Sequence, residues 1–199
     1  MMGTFSPADR DALRSHGIRT VIDLRTEEEI AESPSPFREG LVYRHAPFTA
    51  ARSMALHRAA AEGTMSDALR RLAVRGGGLG TAVVAIADST LGILIHCLAG
   101  RDRTGIVVAV TLAAIGVTDE DIVADYVASD AELAADYVRF RSLNPDAVAD
   151  IDAAIERRAW TMQEVLTTLR LAFGGAGAYL GTAGVSARQI DAIRAKLLR

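Results

Sequence analysis

The sequence predicts an α/β fold with a mostly parallel central sheet, flanking helices and a helical C-terminal layer. Three short apolar runs rich in branched residues predict strands over residues 18–25, 41–45 and 92–96. Helical patterns alternate with these runs in the first half of the chain and continue alone to its end. Strands that alternate with helices favour parallel pairing, and the strand-free second half supplies the helical layer.

Length and composition limit the class of protein. The chain has 199 residues, half of them apolar, which suits one domain with a sizeable core. We therefore expect residues 1–199 to form a single domain. A net charge of −3 argues against a nucleic-acid-binding surface. The single cysteine excludes a disulfide framework, and the four histidines lack the spacing of metal ligands. We therefore expect no nucleic-acid partner, no metal and no other cofactor.

The same features bear on location. A free thiol fits a reducing compartment. No stretch reaches about 18 uninterrupted apolar residues, so neither a transmembrane segment nor a secretory signal is indicated. The expectation is a cytoplasmic protein, with secretion without a visible signal left open. The sequence does not indicate an oligomeric state.

The N-terminal segment predicts a helix followed by a buried strand. Ser6 suits the N-cap of that helix, which should end by Gly17. The strand over residues 18–25 carries Asp23 and Arg25 at its C-terminal end. Ligand sites of parallel sheets lie at such ends, so both side chains are candidates for a role beside a site.

The middle of the chain predicts helices and a glycine-rich loop. The glutamates at 27–29 suit a solvated helical turn, and residues 50–75 predict two helices. The glycines at 76–80 form a loop rather than a phosphate-binding motif, because no strand precedes them and no Gly-Lys-Ser/Thr follows. Residues 81–87 predict a further helix.

The second half predicts helices only. Residues 104–115 are apolar nearly all round, which indicates a buried helix that Gly116 ends. Four more helices and a fifth begun by Asn144-Pro145 follow, with turns at 174–175 and across 177–184. Four hydroxyl residues stand three positions before an acid or amide and predict helix starts, namely Thr118, Ser129, Thr161 and Ser186.

The stretch HCLAGRDRTG, residues 96–105, lies between the third strand and the buried helix. Its loop curls toward a helix N-terminus, where backbone N–H groups bind anions. Cys97 stands at the floor of this cradle as a candidate nucleophile. The candidate phosphate-binding residues are Leu98, Ala99, Gly100, Arg101, Asp102 and Arg103.

The surroundings of Cys97 should favour its thiolate form. An ordinary thiol has a pKa near 8.5 and is only a few per cent ionised at neutral pH. The helix N-terminus and the charges of Arg101 and Arg103 should lower that pKa. The fork of Arg103 can hold two phosphoryl oxygens, and Thr104 is placed to donate its hydroxyl to the sulfur.

The chemistry also needs an acid that protonates the leaving oxygen and a base that activates water. Asp102 is the candidate for both roles, although its two neighbouring arginines should depress its pKa and weaken it as an acid. The alternative is that Asp102 only pairs with Arg101 or adds negative charge at the helix start. His96 should point away from the cysteine and shape the loop by a hydrogen bond. Asp23 and Arg25 either brace the loop or form a simple surface ion pair.

HCLAGRDRTG resembles the protein tyrosine phosphatase signature Cys-x5-Arg-Thr/Ser. Within that group it resembles the bacterial tyrosine-protein phosphatases with His-Cys-x-x-Gly-Lys-Asp-Arg-Thr-Gly, a family that includes enzymes acting on phosphotyrosine, phosphoserine/threonine and phosphoinositides. Three further segments resemble this family: GIRTVIDLRTEEEI at 17–30, IVADYVASD at 122–130 and GVSARQIDAIRAKLL at 184–198. The resemblance therefore covers most of the chain.

The resemblance implies a tyrosine phosphatase-like fold and a cysteinyl-phosphate intermediate formed without a metal. It implies Cys97 as nucleophile, Arg103 as the phosphate-binding arginine and Asp102 as the acid. Arg101 stands where the family usually has lysine. Some members carry an aspartate just after the second strand, which could serve as an alternative acid, but residues 46–50 of this chain contain none. The family's Asn-Phe-Arg-Asp-x-Gly-Gly segment does not precede the first helix, so an N-terminal strand segment is expected to be missing.

The leading hypothesis is a phosphomonoester hydrolase acting on phosphorylated proteins, phosphotyrosine first, with dual specificity as a variant. A phosphoinositide phosphatase and a non-catalytic phosphate-binding module are the alternatives. A rhodanese-like sulfur transferase, which shares a cysteine at a strand end, is a further alternative. Residues 50–80 are the expected lid over the site.

Overall fold

The computed structural model describes residues 6–48, 62–63, 78–90 and 92–198. The two helices predicted over 50–75, and most of the lid predicted over 50–80, lie outside these residues. The strands are β1 (Thr20–Asp23), β2 (Val42–His45) and β3 (Ile93–His96). The helices are α1 (Pro7–Ser15), α2 (Glu27–Glu32), α3 (Leu79–Ala87), α4 (Asp102–Ile115), α5 (Asp119–Glu132), α6 (Ala134–Leu143), α7 (Val148–Glu156), α8 (Arg158–Phe173), α9 (Ala176–Thr182) and α10 (Ala187–Leu197).

The three strands form one parallel sheet in the order β2-β1-β3. Asp23 of β1 lies opposite both His45 of β2 and His96 of β3. The C-terminal ends of all three strands therefore meet at one edge, where parallel α/β sheets place their ligand sites. The prediction of an α/β fold with a parallel sheet and a helical C-terminal layer is confirmed.

The core lies between the sheet, α3 and α4, and it extends into the C-terminal helices. Val21 and Ile22 of β1 are fully buried, as are Val107 and Val110 of α4. Burial of an aliphatic side chain of this size contributes about 1.5–3 kcal/mol. Helix α4 is apolar nearly all round because β3 and α3 cover one side and α5, α9 and α10 cover the other. None of the helices in the described ranges is long and apolar enough to cross a bilayer.

Three of the hydroxyl residues that the sequence predicts as helix N-caps do cap a helix. Ser6 caps α1 in a reciprocal capping box with Asp9, and Ser186 caps α10 in the same way with Gln189. Thr118 accepts a hydrogen bond from the backbone of Asp121 at the start of α5. These starts are confirmed, and Gly116 ends α4 in the left-handed conformation at φ 97°.

Other predicted boundaries are wrong. Ser129 and Thr161 lie inside α5 and α8, because a hydroxyl three residues before an acid is equally compatible with a continuous helix. Helix α4 begins at Asp102, two residues before the predicted start. The predicted turn across 177–184 is mostly helix α9, which extends to Thr182. Pro145 begins a short 3-10 turn that precedes α7.

Replacement of Gly80 should destabilise the fold, because this buried glycine of α3 packs against the backbone before α10. A Cβ at Gly80 would stand 2.0 Å from the carbonyl oxygen of Ala183. We expect Gly80→Ala to lower the free energy of unfolding by about 1–3 kcal/mol, measured by urea unfolding.

Gly181→Ala is the matched control. Gly181 lies inside α9, and a Cβ there would meet nothing within 4 Å. Its replacement should leave stability unchanged or raise it by up to about 1 kcal/mol, since alanine favours the helix. Equal stability of Gly80→Ala and the unsubstituted chain would contradict the close packing of α3 on the backbone at Ala183.

Candidate active site

The candidate loop joins β3 to α4 at the carboxyl edge of the sheet. Gly100 has φ 69°, a left-handed conformation that glycine adopts without strain. Arg101 occupies the N-cap position of α4, and its carbonyl accepts from the Gly105 N–H at 2.7 Å. Leu98, Ala99 and Gly100 are exposed, so a ligand can approach the outer part of the loop.

The Cys97 thiol lies beneath the loop and is only 4 % exposed. Burial alone would raise its pKa. The nearby hydroxyl and backbone N–H of Thr104 oppose this effect, together with the charge of Arg103 and the N–H of Ala99. Their combined effect holds the pKa of Cys97 below the ordinary value of a thiol, so a larger fraction of this thiol is ionised at a given pH. The Thr104 hydroxyl is buried and has no hydrogen-bond partner among the described residues, so it remains available to the sulfur.

Arg103 forms a two-pronged ion pair with Glu29 of α2. Its Nη1 lies 2.6 Å from Glu29 Oε2, and its Nη2 lies 2.6 Å from Oε1. This end-on geometry uses one N–H from each terminal nitrogen, and Nη1 also donates to the Leu24 carbonyl at 3.4 Å. Nε and the second N–H of Nη2 remain for the sulfur or another acceptor. The charge of Arg103 also acts on Cys97. Glu29 therefore orients the guanidinium without occupying all of its donors.

The interpretation of residues 27–29 as a wholly solvated turn is wrong at Glu29. The turn is helical, and Thr26 and Glu29 form a capping box at its start. The Glu29 carboxylate accepts from the Thr26 N–H at 2.8 Å as well as from Arg103. The hydrogen bond from Arg103 is the main reason that the pKa of Glu29 lies below its usual range. Two sequence signals pointed to this residue: it is a capping-box acid just after a strand end, and it lies in the segment 17–30 that resembles the family.

Asp23 and Arg25 form a fully buried ion pair, so the alternative of a surface pair is wrong. Arg25 Nη2 lies 2.7 Å from Asp23 Oδ2, and both side chains are 0 % exposed. Tyr43 donates its hydroxyl to the same oxygen at 2.9 Å, and Arg25 donates to the Ser33 carbonyl at 2.8 Å. The pair is buried because β2, β3 and α2 surround the end of β1. It lies behind the loop and supports the sheet edge from which the loop departs.

His96 connects this buried pair to the loop. Its Nδ1 lies 2.9 Å from the carbonyl oxygen of Cys97, and because a carbonyl only accepts, Nδ1 carries the proton. Its Nε2 faces Asp23 Oδ2 at 3.6 Å. Burial lowers the pKa of His96, which favours the neutral ring. The histidine thus contacts the backbone of Cys97 rather than its sulfur.

Arg101 and Asp102 pair with each other at the start of α4. Arg101 Nε lies 3.0 Å from Asp102 Oδ1, and the guanidinium stands over the ring of Tyr137 at 5.4 Å. Both features of the alternative interpretation of Asp102 are therefore present, since it partners Arg101 and adds negative charge to the helix start. Its side chain is 19 % exposed, so the carboxylate keeps access to solvent at the rim of the loop.

The structure thus brings Cys97, Arg103 and Thr104 together around the sulfur, with Asp102 beside them on the loop. A sequence-family model for the tyrosine phosphatase family matches residues 1–199. The chain belongs to this family. Members are cysteine-dependent phosphatases that act on phosphorylated substrates through a cysteinyl-phosphate intermediate.

Two curated relatives of this tyrosine phosphatase align with nearly all of it. A tyrosine-protein phosphatase of Nostoc commune is 29 % identical over 219 residues, covering 98 % of this chain and 71 % of the relative. The triple specificity protein phosphatase PtpB of Mycobacterium tuberculosis is 28 % identical over 242 residues, covering 96 % of this chain and 86 % of the relative. The predicted membership of this family is confirmed.

Thr104→Val should raise the pKa of Cys97, because it removes a nearby hydroxyl that favours the thiolate. At a fixed pH below the titration midpoint, fewer thiols are then ionised, so alkylation by iodoacetamide should slow. The measurement is the alkylation rate across pH. Thr111→Val is the control, since Thr111 is a buried threonine of the same helix whose hydroxyl bonds the Val107 carbonyl. If the midpoint of the alkylation-rate profile does not shift in Thr104→Val, the Thr104 hydroxyl does not stabilise the Cys97 thiolate.

Glu29→Gln should weaken the hold on Arg103, because a neutral amide cannot replace both charged hydrogen bonds. A charge-assisted hydrogen bond contributes about 1.5–3 kcal/mol, so the inhibition constant of inorganic phosphate should rise roughly tenfold. Glu28→Gln is the matched control, because Glu28 is the exposed neighbour in the same helix. If both variants keep the original inhibition constant, Glu29 does not position Arg103.

Proposed function

We propose that this phosphatase hydrolyses phosphotyrosine in proteins, with Cys97 as nucleophile, Arg103 as the phosphate-binding residue and Asp102 as acid and base. One observation carries the proposal: the Cys97 sulfur is buried at the base of the loop, beside the Arg103 guanidinium and the N–H groups of Ala99 and Thr104, which hold its pKa below that of an ordinary thiol. Ionisation of a buried thiol does not stabilise the fold, whereas a nucleophilic cysteine must be ionised to attack phosphorus.

In the first step the Cys97 sulfur attacks phosphorus and the ester P–O bond breaks. Asp102 gives its proton to the leaving oxygen, so that the tyrosine hydroxyl departs neutral. The free N–H groups of Arg103 and the loop backbone hold the equatorial oxygens, on which charge concentrates in the transition state.

In the second step water attacks the cysteinyl-phosphate and the P–S bond breaks. Asp102, now ionised, takes a proton from the water, and the Cys97 thiolate leaves with inorganic phosphate as the other product. The Thr104 hydroxyl is placed to stabilise the departing thiolate, since it is buried near the sulfur and has no hydrogen-bond partner among the described residues. The enzyme is thereby restored without a metal ion in either step.

The engagement of Arg101 supports protein substrates over phosphoinositides. Its guanidinium is paired with Asp102 and stacked on Tyr137, and its side chain is only 16 % exposed. A second phosphate on an inositol ring would have to compete for that charge. The name of the Mycobacterium relative, a triple specificity protein phosphatase, supports a substrate range broader than phosphotyrosine alone.

The test is phosphate release from phosphotyrosine, phosphothreonine and phosphoinositide substrates, with two aryl phosphates added. Cys97→Ser should abolish release from every substrate. Asp102→Asn should lower turnover of phenyl phosphate by roughly 10²-fold but that of p-nitrophenyl phosphate much less, because a good leaving group departs without a proton. Asp125→Asn, an exposed aspartate of α5, is the control and should behave as the unsubstituted enzyme.

Three outcomes would overturn parts of the proposal. Phosphate release by Cys97→Ser at the rate of the unsubstituted enzyme would show that Cys97 is not the nucleophile. Tight binding of phosphotyrosine without phosphate release would identify a binding module instead, and sulfur transfer from thiosulfate to cyanide would identify a rhodanese-like enzyme. If Asp102→Asn lowers the turnover of both aryl phosphates equally, Asp102 is not the general acid.

A further inference from the structure

A buried arginine stands in the helical layer next to the loop. Arg158 begins α8 and is only 1 % exposed. It pairs with Asp130 of α5, and it donates to the Tyr137 hydroxyl at 3.2 Å and to the Tyr126 carbonyl at 3.3 Å. Removing a guanidinium from water is costly, so these contacts are needed to hold it there. All three partners lie on the two helices that approach the loop from the C-terminal side.

The first connection to the loop runs through the ring of Tyr126. The Arg158 guanidinium stands over this ring, 4.5 Å from its centre. The edge of the same ring packs on Gly105, where a Cβ would lie 2.4 Å from Tyr126 Cε2. Burial first, and then the charge of Asp102, raise the pKa of Tyr126. The ring therefore packs on the first turn of α4, close to the Asp102 carboxylate.

The second connection runs through the ring of Tyr137. Its hydroxyl accepts from Arg158 and donates to Asp130 Oδ1 at 2.9 Å, which anchors the ring at one end. Arg101 lies over the face of this ring at 5.4 Å and binds Asp102 through Nε at 3.0 Å. Tyr137 is buried, so this ring is a firm support for Arg101.

We infer that Arg158 is a positioning residue for Asp102, acting through the two tyrosines that hold the start of α4 and the Arg101 partner of that carboxylate. The inference rests on the proposed function, because it concerns the acid named there. A general acid must lie within hydrogen-bond reach of the leaving oxygen, and a shift of about 1 Å can cost roughly 10²-fold in rate. Arg158 acts at a distance from the sulfur, through its contacts with Asp130, Tyr137 and Tyr126.

The test replaces Arg158 with lysine, which keeps the buried charge but loses the planar fork that reaches Asp130, Tyr137 and Tyr126 together. Turnover is measured on phenyl phosphate and on p-nitrophenyl phosphate. Arg158→Lys should lower the phenyl phosphate rate about tenfold more than the p-nitrophenyl phosphate rate, since only the poor leaving group needs the acid in place. Arg170→Lys is the matched control on the same helix, where an exposed pair joins Arg170 to Asp119.

Tyr137→Phe is the second variant. It keeps the ring under Arg101 and removes only the hydroxyl bound to Arg158 and Asp130, so it should fold and shift the ratio of the two rates in the same direction. Unchanged ratios in both Arg158→Lys and Tyr137→Phe would overturn the inference, as would equal losses on the two substrates, which a merely structural role predicts. Asp102→Asn, measured alongside, separates the two proposals: if it changes the ratio and neither variant does, the acid assignment stands and the positioning role falls.

Discussion

The buried ion pair between Asp23 and Arg25 fixes the sheet edge on which the site is built. A charged pair with no exposure is costly unless its remaining donors and acceptors are satisfied. Tyr43 and the Ser33 carbonyl supply part of that satisfaction, from β2 and from the segment after α2. His45 adds a hydrogen bond to the Arg25 carbonyl at 2.8 Å. The pair can therefore exist only when β2 and α2 are docked on β1, and that docking also brings Glu29 to Arg103.

Paired charges explain how an acidic chain builds an anion-binding loop. The net charge is −3, yet the loop holds two arginines. Arg103 is oriented by Glu29, and Arg101 by Asp102. Each carboxylate fixes the direction of a guanidinium, so the positive charge is held in place before a phosphate arrives. A site arranged in advance loses less entropy and needs less rearrangement when the transition state forms.

Tyrosines link the helical layer to this site. Tyr126 packs on Gly105 of the loop motif, and Tyr137 lies beneath Arg101. Both rings are held by the same buried guanidinium, that of Arg158. The C-terminal half is thus more than a cover for the apolar side of α4. It supplies the groups that surround the first turn of that helix.

Features that depend on neighbours along the chain could be predicted from the residues alone. The strand runs, the caps at Ser6 and Ser186, and the order of Cys97, Arg103 and Thr104 within ten residues are local, so their geometry follows from residue type and spacing. Contacts between residues that are far apart in the chain could not be predicted in this way. Glu29 meets Arg103 across 74 positions, and Arg158 meets Tyr126 across 32, because parallel strand pairing and helix packing place them together. A charged side chain in a helical pattern is usually solvated, and its burial depends on neighbours that spacing along the chain does not specify.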